Sequence, residues 1–165
     1  MNISINTVKI FFKDALIKRN IPEDCSAKLS STAIHILSDC GLPCKQFDFS
    51  FENKLLLKNN KELIVGNLGG EIVLNFYTGH LYLVNEDFFL ASSLENLLFQ
   101  IYSLSFFWQE IVGKQKFGNY QTNHEVYAFE LSKMLLSIDK YLLINDNAYY
   151  WGSIIEDIEN GIVGN

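Results

Sequence analysis

The stretch that decides the fold is residues 71–84, which read EIVLNFYTGHLYLV. Two short apolar segments, Glu71–Phe76 and His80–Val84, have the length of strands, and only Tyr77-Thr78-Gly79 lies between them. The glycine can supply the positive φ that a tight hairpin needs. The stretch therefore predicts two antiparallel strands joined by a short turn.

Further strand signals lie on both sides of this hairpin. Phe47-Asp48-Phe49-Ser50-Phe51-Glu52 alternates apolar and polar residues, which is typical of a strand with one face in the core. Shorter candidate strands are Lys54–Leu57, Glu62–Val65 and Phe88–Leu90. The middle of the chain is therefore predicted to form a largely antiparallel sheet of about five or six strands.

Helical periodicity dominates the two ends of the chain. Helices are predicted over Thr7–Arg19, over Ser26–Asp39, from Ser92 onward, over His124–Tyr141, and through the segment that contains Trp151, Ile154, Ile155, Ile158 and Ile162. Because helices come first, then strands, then helices again, the pattern favours an α+β fold over alternating βαβ units. The length fits a single domain over residues 1–165.

The helix that begins at Ser92 is predicted to be the central one. Its start has the form of a capping box, in which the hydroxyl of Ser92 accepts from a free helix amide and Glu95 reaches back. Tyr102, Phe106 and Phe107 widen its apolar stripe beyond one face. We therefore expect other elements to cover this helix on more than one side.

Composition and charge limit the classes of partner. The chain has 165 residues, of which 48% are hydrophobic and 14% aromatic, as in a packed globular protein. Nineteen acidic and 13 basic residues leave a formal charge of −6, which disfavours nucleic acid because its phosphates are also negative. An acidic surface suits a basic protein partner, although it is more commonly a solvated face that keeps a protein in solution.

The sequence also predicts a cytoplasmic protein without membrane contact. The first residues lack the basic cluster of a secretory signal, and no apolar run approaches the ~18 residues of a membrane helix. Cys25, Cys40 and Cys44 are few and odd in number, which fits reduced thiols better than disulfides.

Candidate metal and phosphate sites each have an ordinary structural explanation. Cys40, Cys44 and His35 could form part of a zinc site, but a second ligand pair is missing, so buried thiols are favoured. The run Gly66-Asn67-Leu68-Gly69-Gly70 lacks the Lys-Ser/Thr ending of a phosphate loop and precedes a strand, which favours a turn. Asn145-Asp146-Asn147 lacks the glycine and distal glutamate of a calcium loop.

Signals for nucleophilic catalysis are equally weak. His35, His80 and His124 are not paired with a nucleophile, and Ser92 and Ser93 lack a Gly-x-Ser-x-Gly elbow. We therefore expect no catalytic residue, no metal and no cofactor, and a protein that is not an enzyme.

Several turn and core segments share a recognisable pattern over residues 36–160. They are Cys40-Gly41-Leu42-Pro43 after an early helix, Leu63-Ile64-Val65-Gly66, Glu71-Ile72-Val73-Leu74-Asn75, Thr78-Gly79-His80-Leu81-Tyr82, Ala91-Ser92-Ser93-Leu94-Glu95-Asn96-Leu97 at the entry to a long helix, and Tyr150-Trp151-Gly152-Ser153-Ile154-Ile155-Glu156. Together they resemble the SUKH superfamily of bacterial immunity proteins, most closely its fourth subfamily. Two positions depart from the pattern: Ala91 stands where Asn is commoner, and Asn75 where Asp is commoner.

The resemblance implies an α+β fold, no enzymatic activity, and binding and neutralisation of a cognate bacterial toxin, often a nuclease or deaminase. The alternative is a general protein-interaction or regulatory module, and a third reading is an enzyme with converging polar groups in a pocket. If the partner is a basic toxin, the candidate partner-binding residues are Glu86, Asp87, Glu156, Asp157 and Glu159. The oligomeric state stays open.

Overall fold

The computed structural model describes residues 3–51, 54–84, 88–112, 123–143 and 149–162. Within them the helices are α1 (Ile5–Phe12), α2 (Glu23–Ser26), α3 (Ser31–His35), α4 (Leu94–Phe106), α5 (His124–Ile138) and α6 (Tyr149–Glu159). The strands are β1 (Leu16–Ile17), β2 (Leu42–Pro43), β3 (Lys45–Gln46), β4 (Phe49–Ser50), β5 (Leu56–Asn59), β6 (Glu62–Asn67), β7 (Glu71–Asn75), β8 (Leu81–Leu83) and β9 (Phe88–Ala91). The fold is α+β, as predicted.

The strands form one large and one small sheet. The large sheet has seven strands in the order β3-β4-β6-β7-β8-β9, and β5 pairs beside β6. β1 and β2 form a two-stranded sheet of their own. All pairings between these strands are antiparallel, so the predicted antiparallel sheet is confirmed.

The hairpin of residues 71–84 forms as predicted, with Val73 opposite Tyr82 and β8 beginning at Leu81. Gly79 has a φ of 75°. The side-chain oxygen of Asn75 accepts from the backbone amides of Tyr77 (2.9 Å) and Thr78 (3.1 Å). These bonds stabilise the turn, because an Asx side chain takes the place of a backbone acceptor there.

α4 is the central helix, as predicted. Its buried residues include Leu98 and Gln100, which lie on opposite sides of the helix. α1, α3, α5 and β9 all pack against it. The start of α4 is also tied to the end of α5, since the backbone amide of Ser92 donates to the buried carboxylate of Asp139 at 2.6 Å.

The cap of α4 differs from the prediction. The residue that caps it is Ser93, whose hydroxyl accepts from the backbone amide of Asn96 at 3.1 Å. The hydroxyl of Ser92 accepts instead from the side-chain amide of Asn96 at 2.9 Å. The prediction was therefore one residue early, because two adjacent serines offer the same capping chemistry.

The two predicted N-terminal helices are both too long. α1 ends at Phe12, where Lys13 adopts a φ of 49°, and the chain then forms β1 instead of continuing to Arg19. The predicted helix Ser26–Asp39 is interrupted between α2 and α3, because the hydroxyl of Ser30 accepts from the amide of Ala33 and starts a new helix. A π-helical turn, Ile36–Cys40, then ends before the Gly-Leu-Pro stop as predicted.

The contacts of buried Arg19 explain why α1 does not continue as far as this residue. Its side chain is 2% exposed and donates to the backbone carbonyls of Ile17, Leu42 (2.6 Å) and Phe51 (2.8 Å). A buried guanidinium needs several acceptors, and these three lie on β1, on β2 and just after β4. The side chain thus joins the small sheet to the edge of the large one.

Of the alternating segment Phe47–Glu52, Glu52 lies outside the described residues, and the described part is only partly a strand. Phe47 and Asp48 form a two-residue turn between β3 and β4, because Gln46 pairs with Phe49. Phe49 and Phe51 are buried as predicted, but Phe47 turns outward. On the side of β4 away from β3, β6 approaches so closely that a Cβ on Gly66 would lie 2.7 Å from the ring of Phe51.

The segment Asn145-Asp146-Asn147, considered above as a calcium loop, lies outside the described residues. None of the described helices has the length and apolar character needed to cross a membrane.

Candidate functional site

A surface depression of about 510 Å³ lies between the β3–β4 turn, the C-terminal part of α4 with its π-helical extension (Phe107–Val112), and α6. Its volume lies within the ~300–1,000 Å³ range of ligand-binding clefts. The described residues that line it are mostly aromatic and aliphatic, with two carboxylates: Phe47, Asp48, Leu104, Trp108, Tyr150, Ile154, Asp157, Ile158 and Ile162.

A second depression of about 480 Å³ adjoins the first. The two share Asp48 and Tyr150, which therefore stand on the ridge between them. The second depression is also lined by Phe88 of β9 and by Tyr149, whose rings stack at a centroid distance of 5.2 Å. Tyr149 is 65% exposed, so an aromatic face is open to a partner here. We call the two depressions together the α6 groove.

Aromatic packing holds α6 in position beside the sheet. The ring of Phe49 on β4 meets Tyr150 edge-on at 5.2 Å and stacks with Trp151 at 5.9 Å. The indole nitrogen of Trp151 donates to the backbone carbonyl of Leu90 at 2.9 Å. Leu90 is the extra residue of a bulge in β9, so it has no partner residue on β8. The indole of Trp151 supplies a hydrogen-bond donor for its carbonyl.

The β3–β4 turn brings a large apolar side chain to the rim of the groove. Phe47 has a φ of 52°, a conformation that is costly for a bulky residue, and its side chain is 37% exposed. A two-residue turn with positive φ at its first central position favours glycine there. The phenylalanine is thus poor for local stability but contributes a ring to the groove.

The charged residues in the described lining of the groove all carry the same sign. Asp48 and Asp157 are the charged residues among the described lining of the two depressions, which contains no lysine, arginine or histidine. Burial, with a smaller contribution from the Asp48 carboxylate, raises the pKa of Tyr150 above its usual value. Its phenol therefore stays neutral at physiological pH, and the charge of the described lining comes from the two carboxylates.

The predicted partner-binding residues divide into three groups. Asp157 lines the groove, whereas Glu156 and Glu159 are exposed on α6 but do not belong to its lining. Glu86 and Asp87 lie outside the described residues. Asp157 differs from its neighbour Glu156 because successive residues of a helix point in different directions.

Sequence reasoning missed most of the groove. Tyr150, Ile154 and Asp157 stand at i, i+4 and i+7, so helical periodicity alone could have placed this aspartate beside the aromatic and apolar residues. For Phe47 and Asp48 there was no comparable signal, because the alternation around them read as a continuous strand.

The other candidate sites do not assemble in the described residues. Cys25 and Cys40 are buried but Cys44 is exposed, so the prediction of buried thiols is wrong for Cys44. His35 pairs with Asp39 at 2.9 Å. Within the described ranges no three His, Cys, Asp or Glu residues lie close enough to hold a metal ion. The predicted turn after Gly66 forms at Leu68-Gly69-Gly70 and leads into β7.

Comparison with protein-family models, with curated proteins and with solved structures found no match for this chain. The resemblance to SUKH immunity proteins therefore stays a prediction from the sequence segments quoted above.

Proposed function

We propose that this protein is an immunity protein that binds and neutralises a cognate bacterial protein toxin, such as a nuclease or nucleic-acid deaminase, without catalysing a reaction. The observation that carries the proposal is the α6 groove: two adjoining depressions with aromatic and aliphatic walls and acidic charge. Protein interfaces combine these features, since a few buried aromatic and apolar anchors supply most of the affinity.

Electrostatics support a basic partner. The chain carries a formal charge of −6, and both charged residues of the described groove lining are carboxylates. Proteins that act on nucleic acids present basic surfaces to their substrate, and an acidic protein can cover such a surface. Blocking of the substrate site would then neutralise the toxin without any chemistry by the immunity protein.

The lining of the groove supports binding over catalysis. Ser153 lies in the second depression, but its hydroxyl donates to the backbone carbonyl of Tyr150 at 2.9 Å. The described lining offers no histidine, lysine or cysteine to activate it. Aromatic rings and carboxylates are groups that recognise a partner.

Co-expression with the product of a toxin gene found beside the gene of this protein tests the proposal. The wild-type chain is expected to restore growth and to co-purify with the toxin. Replacing Ile162, which is 58% exposed in the groove, by Asp should abolish protection, because it puts a charge among the apolar anchors.

Ile10→Asp is the matched control, since Ile10 is 68% exposed on α1 and does not line the groove. This variant should protect as well as the wild type. If no neighbouring toxin is bound or blocked, the proposed role is wrong. Capture of housekeeping proteins in its place would favour the general interaction module.

A further inference from the structure

The first depression of the α6 groove has the features of a site for one cationic side chain. Its aromatic walls come from different elements: Phe47 from the β3–β4 turn, Trp108 from the extension of α4, and Tyr150 from α6. Ring faces attract a cation that lies over them, with arginine the more frequent partner. Neutral Tyr150 preserves its ring face for such a contact.

Carboxylates reach the same depression from two directions. Asp48 comes from the turn and Asp157 from α6, and both are exposed. A guanidinium has donors arranged in a planar fork, so it can meet acceptors on more than one side while its plane stacks on a ring. An ammonium group is a compact, strongly hydrated charge and uses such an arrangement less well.

We propose that this first depression binds an arginine side chain of the protein partner, between the aromatic walls and the carboxylates of Asp48 and Asp157, while the second depression takes a neighbouring apolar side chain. The inference rests on the proposed function, because it names the group of the toxin that the groove recognises. It also makes Asp48, which the sequence did not single out, a specificity residue.

The charges argue against a second copy of this chain as the occupant. Each copy carries −6, so two α6 grooves facing each other would bring four carboxylates together without a compensating cation in their described lining. Like charges across an interface are strongly unfavourable. A basic segment of another protein removes that cost and leaves the aromatic contacts available.

A peptide titration tests the inference without a toxin. The probes are Ac-Leu-Gly-Arg-NH2 and its neutral counterpart Ac-Leu-Gly-citrulline-NH2, added to the full isotope-labelled chain and followed by chemical shifts. The arginine peptide should give saturable shifts at Phe47, Trp108 and Tyr150. The citrulline peptide keeps the shape but loses the charge, so it should bind at least about fivefold more weakly.

Matched variants separate the site from general electrostatics. Asp157→Asn and Asp48→Asn should each weaken the arginine peptide about three- to fivefold. Glu156→Gln and Glu159→Gln remove the same charge from α6 outside the described lining of the groove, so they should change affinity by less than about twofold. Unchanged melting temperatures would show that all four variants stay folded.

The inference would be overturned by equal binding of the citrulline peptide, by equal losses in Glu156→Gln and Asp157→Asn, or by shifts that map to another surface. Self-association of the chain through the groove, seen by sedimentation, would overturn it too. If the peptide results hold and co-expression fails, arginine recognition stands and the partner is a different basic protein. If the peptide fails and co-expression succeeds, the toxin is bound by other means and the arginine site is wrong.

Discussion

At the scale of single residues, Phe47 shows a conflict between local stability and the surface that it helps to build. Its positive φ costs about 1 to 2 kcal/mol for a residue with a Cβ, yet its ring lines the α6 groove. Strained residues of this kind cluster at functional sites. We therefore expect stability and binding to respond differently to substitution at this position.

Phe47→Gly should leave the free energy of unfolding within about 1 kcal/mol of the wild type, because relief of the strained φ offsets the lost ring contacts. Phe47→Ala is the matched control: it also removes the ring but keeps the strain, so it should be about 1 kcal/mol less stable than the glycine variant. Urea unfolding measures both. Both variants should bind the toxin more weakly than the wild type, and unchanged affinity would show that the ring does not contact the partner.

Ser93 provides a second residue-scale prediction. Ser93→Ala should lower the free energy of unfolding by about 0.5 to 2 kcal/mol, since the amide of Asn96 loses its acceptor at the start of α4. Ser92→Ala removes only a bond to the Asn96 side chain and keeps the backbone amide that donates to Asp139, so it should cost less. Denaturant titration compares the two variants. An equal or greater loss in Ser92→Ala would contradict the assignment of the cap.

At the scale of elements, the position of α6 against β9 decides whether the groove exists. The contact between Trp151 and the carbonyl of Leu90 joins the helix to the bulge in the edge strand, and both residues are buried. Removal of the donor would leave this buried carbonyl without its indole partner, and a buried polar group that loses its partner costs free energy.

Trp151→Phe keeps an aromatic ring in this position but removes the indole N–H. We expect the free energy of unfolding to fall by about 1 to 3 kcal/mol or more, from the unpaired carbonyl and the smaller ring. Tyr149→Phe on the same helix removes a hydroxyl from an exposed ring and should change stability by less than about 0.5 kcal/mol. Thermal and urea unfolding followed by circular dichroism measure both, and a loss below about 0.5 kcal/mol in Trp151→Phe would show that other contacts hold α6.

At the scale of the whole molecule, the net charge of −6 should act on the rate of encounter with a basic toxin. Raising salt from about 0.05 to 0.5 M shortens the Debye length from roughly 14 to 4 Å. The association rate constant should therefore fall markedly, while the dissociation rate constant changes little.

Charge reversals on α6 refine this prediction. Glu156→Lys should slow association and leave dissociation nearly unchanged, because Glu156 is exposed and outside the groove lining. Asp157→Lys should slow association and also speed dissociation, since Asp157 lines the groove. Surface plasmon resonance with the identified toxin separates the two rate constants. Identical effects of the two reversals, or indifference to salt, would show that the acidic residues of α6 serve solubility alone.

The sequence by itself determined the α+β class, the hairpin around Gly79 and the central position of α4. These features follow from local signals, because hydrophobic period, turn residues and the width of an apolar stripe are all read within one short segment. The same reliance on local signals explains the errors, because no local pattern contains a long-range contact. The choice between Ser92 and Ser93 depends on a contact with Asp139, and the end of α1 depends on the pairing of β1 with β2.

Only the tertiary structure decided where the α6 groove lies. Asp48 and Asp157 are far apart in the chain, and they meet at one depression because Phe49 packs against Tyr150 and Trp151. Phe47 faces outward because pairing of Gln46 with Phe49 forces a two-residue turn where the alternation predicted a strand. Such contacts join residues of high sequence separation, so the period of one segment cannot specify them, whereas packing of the whole chain does.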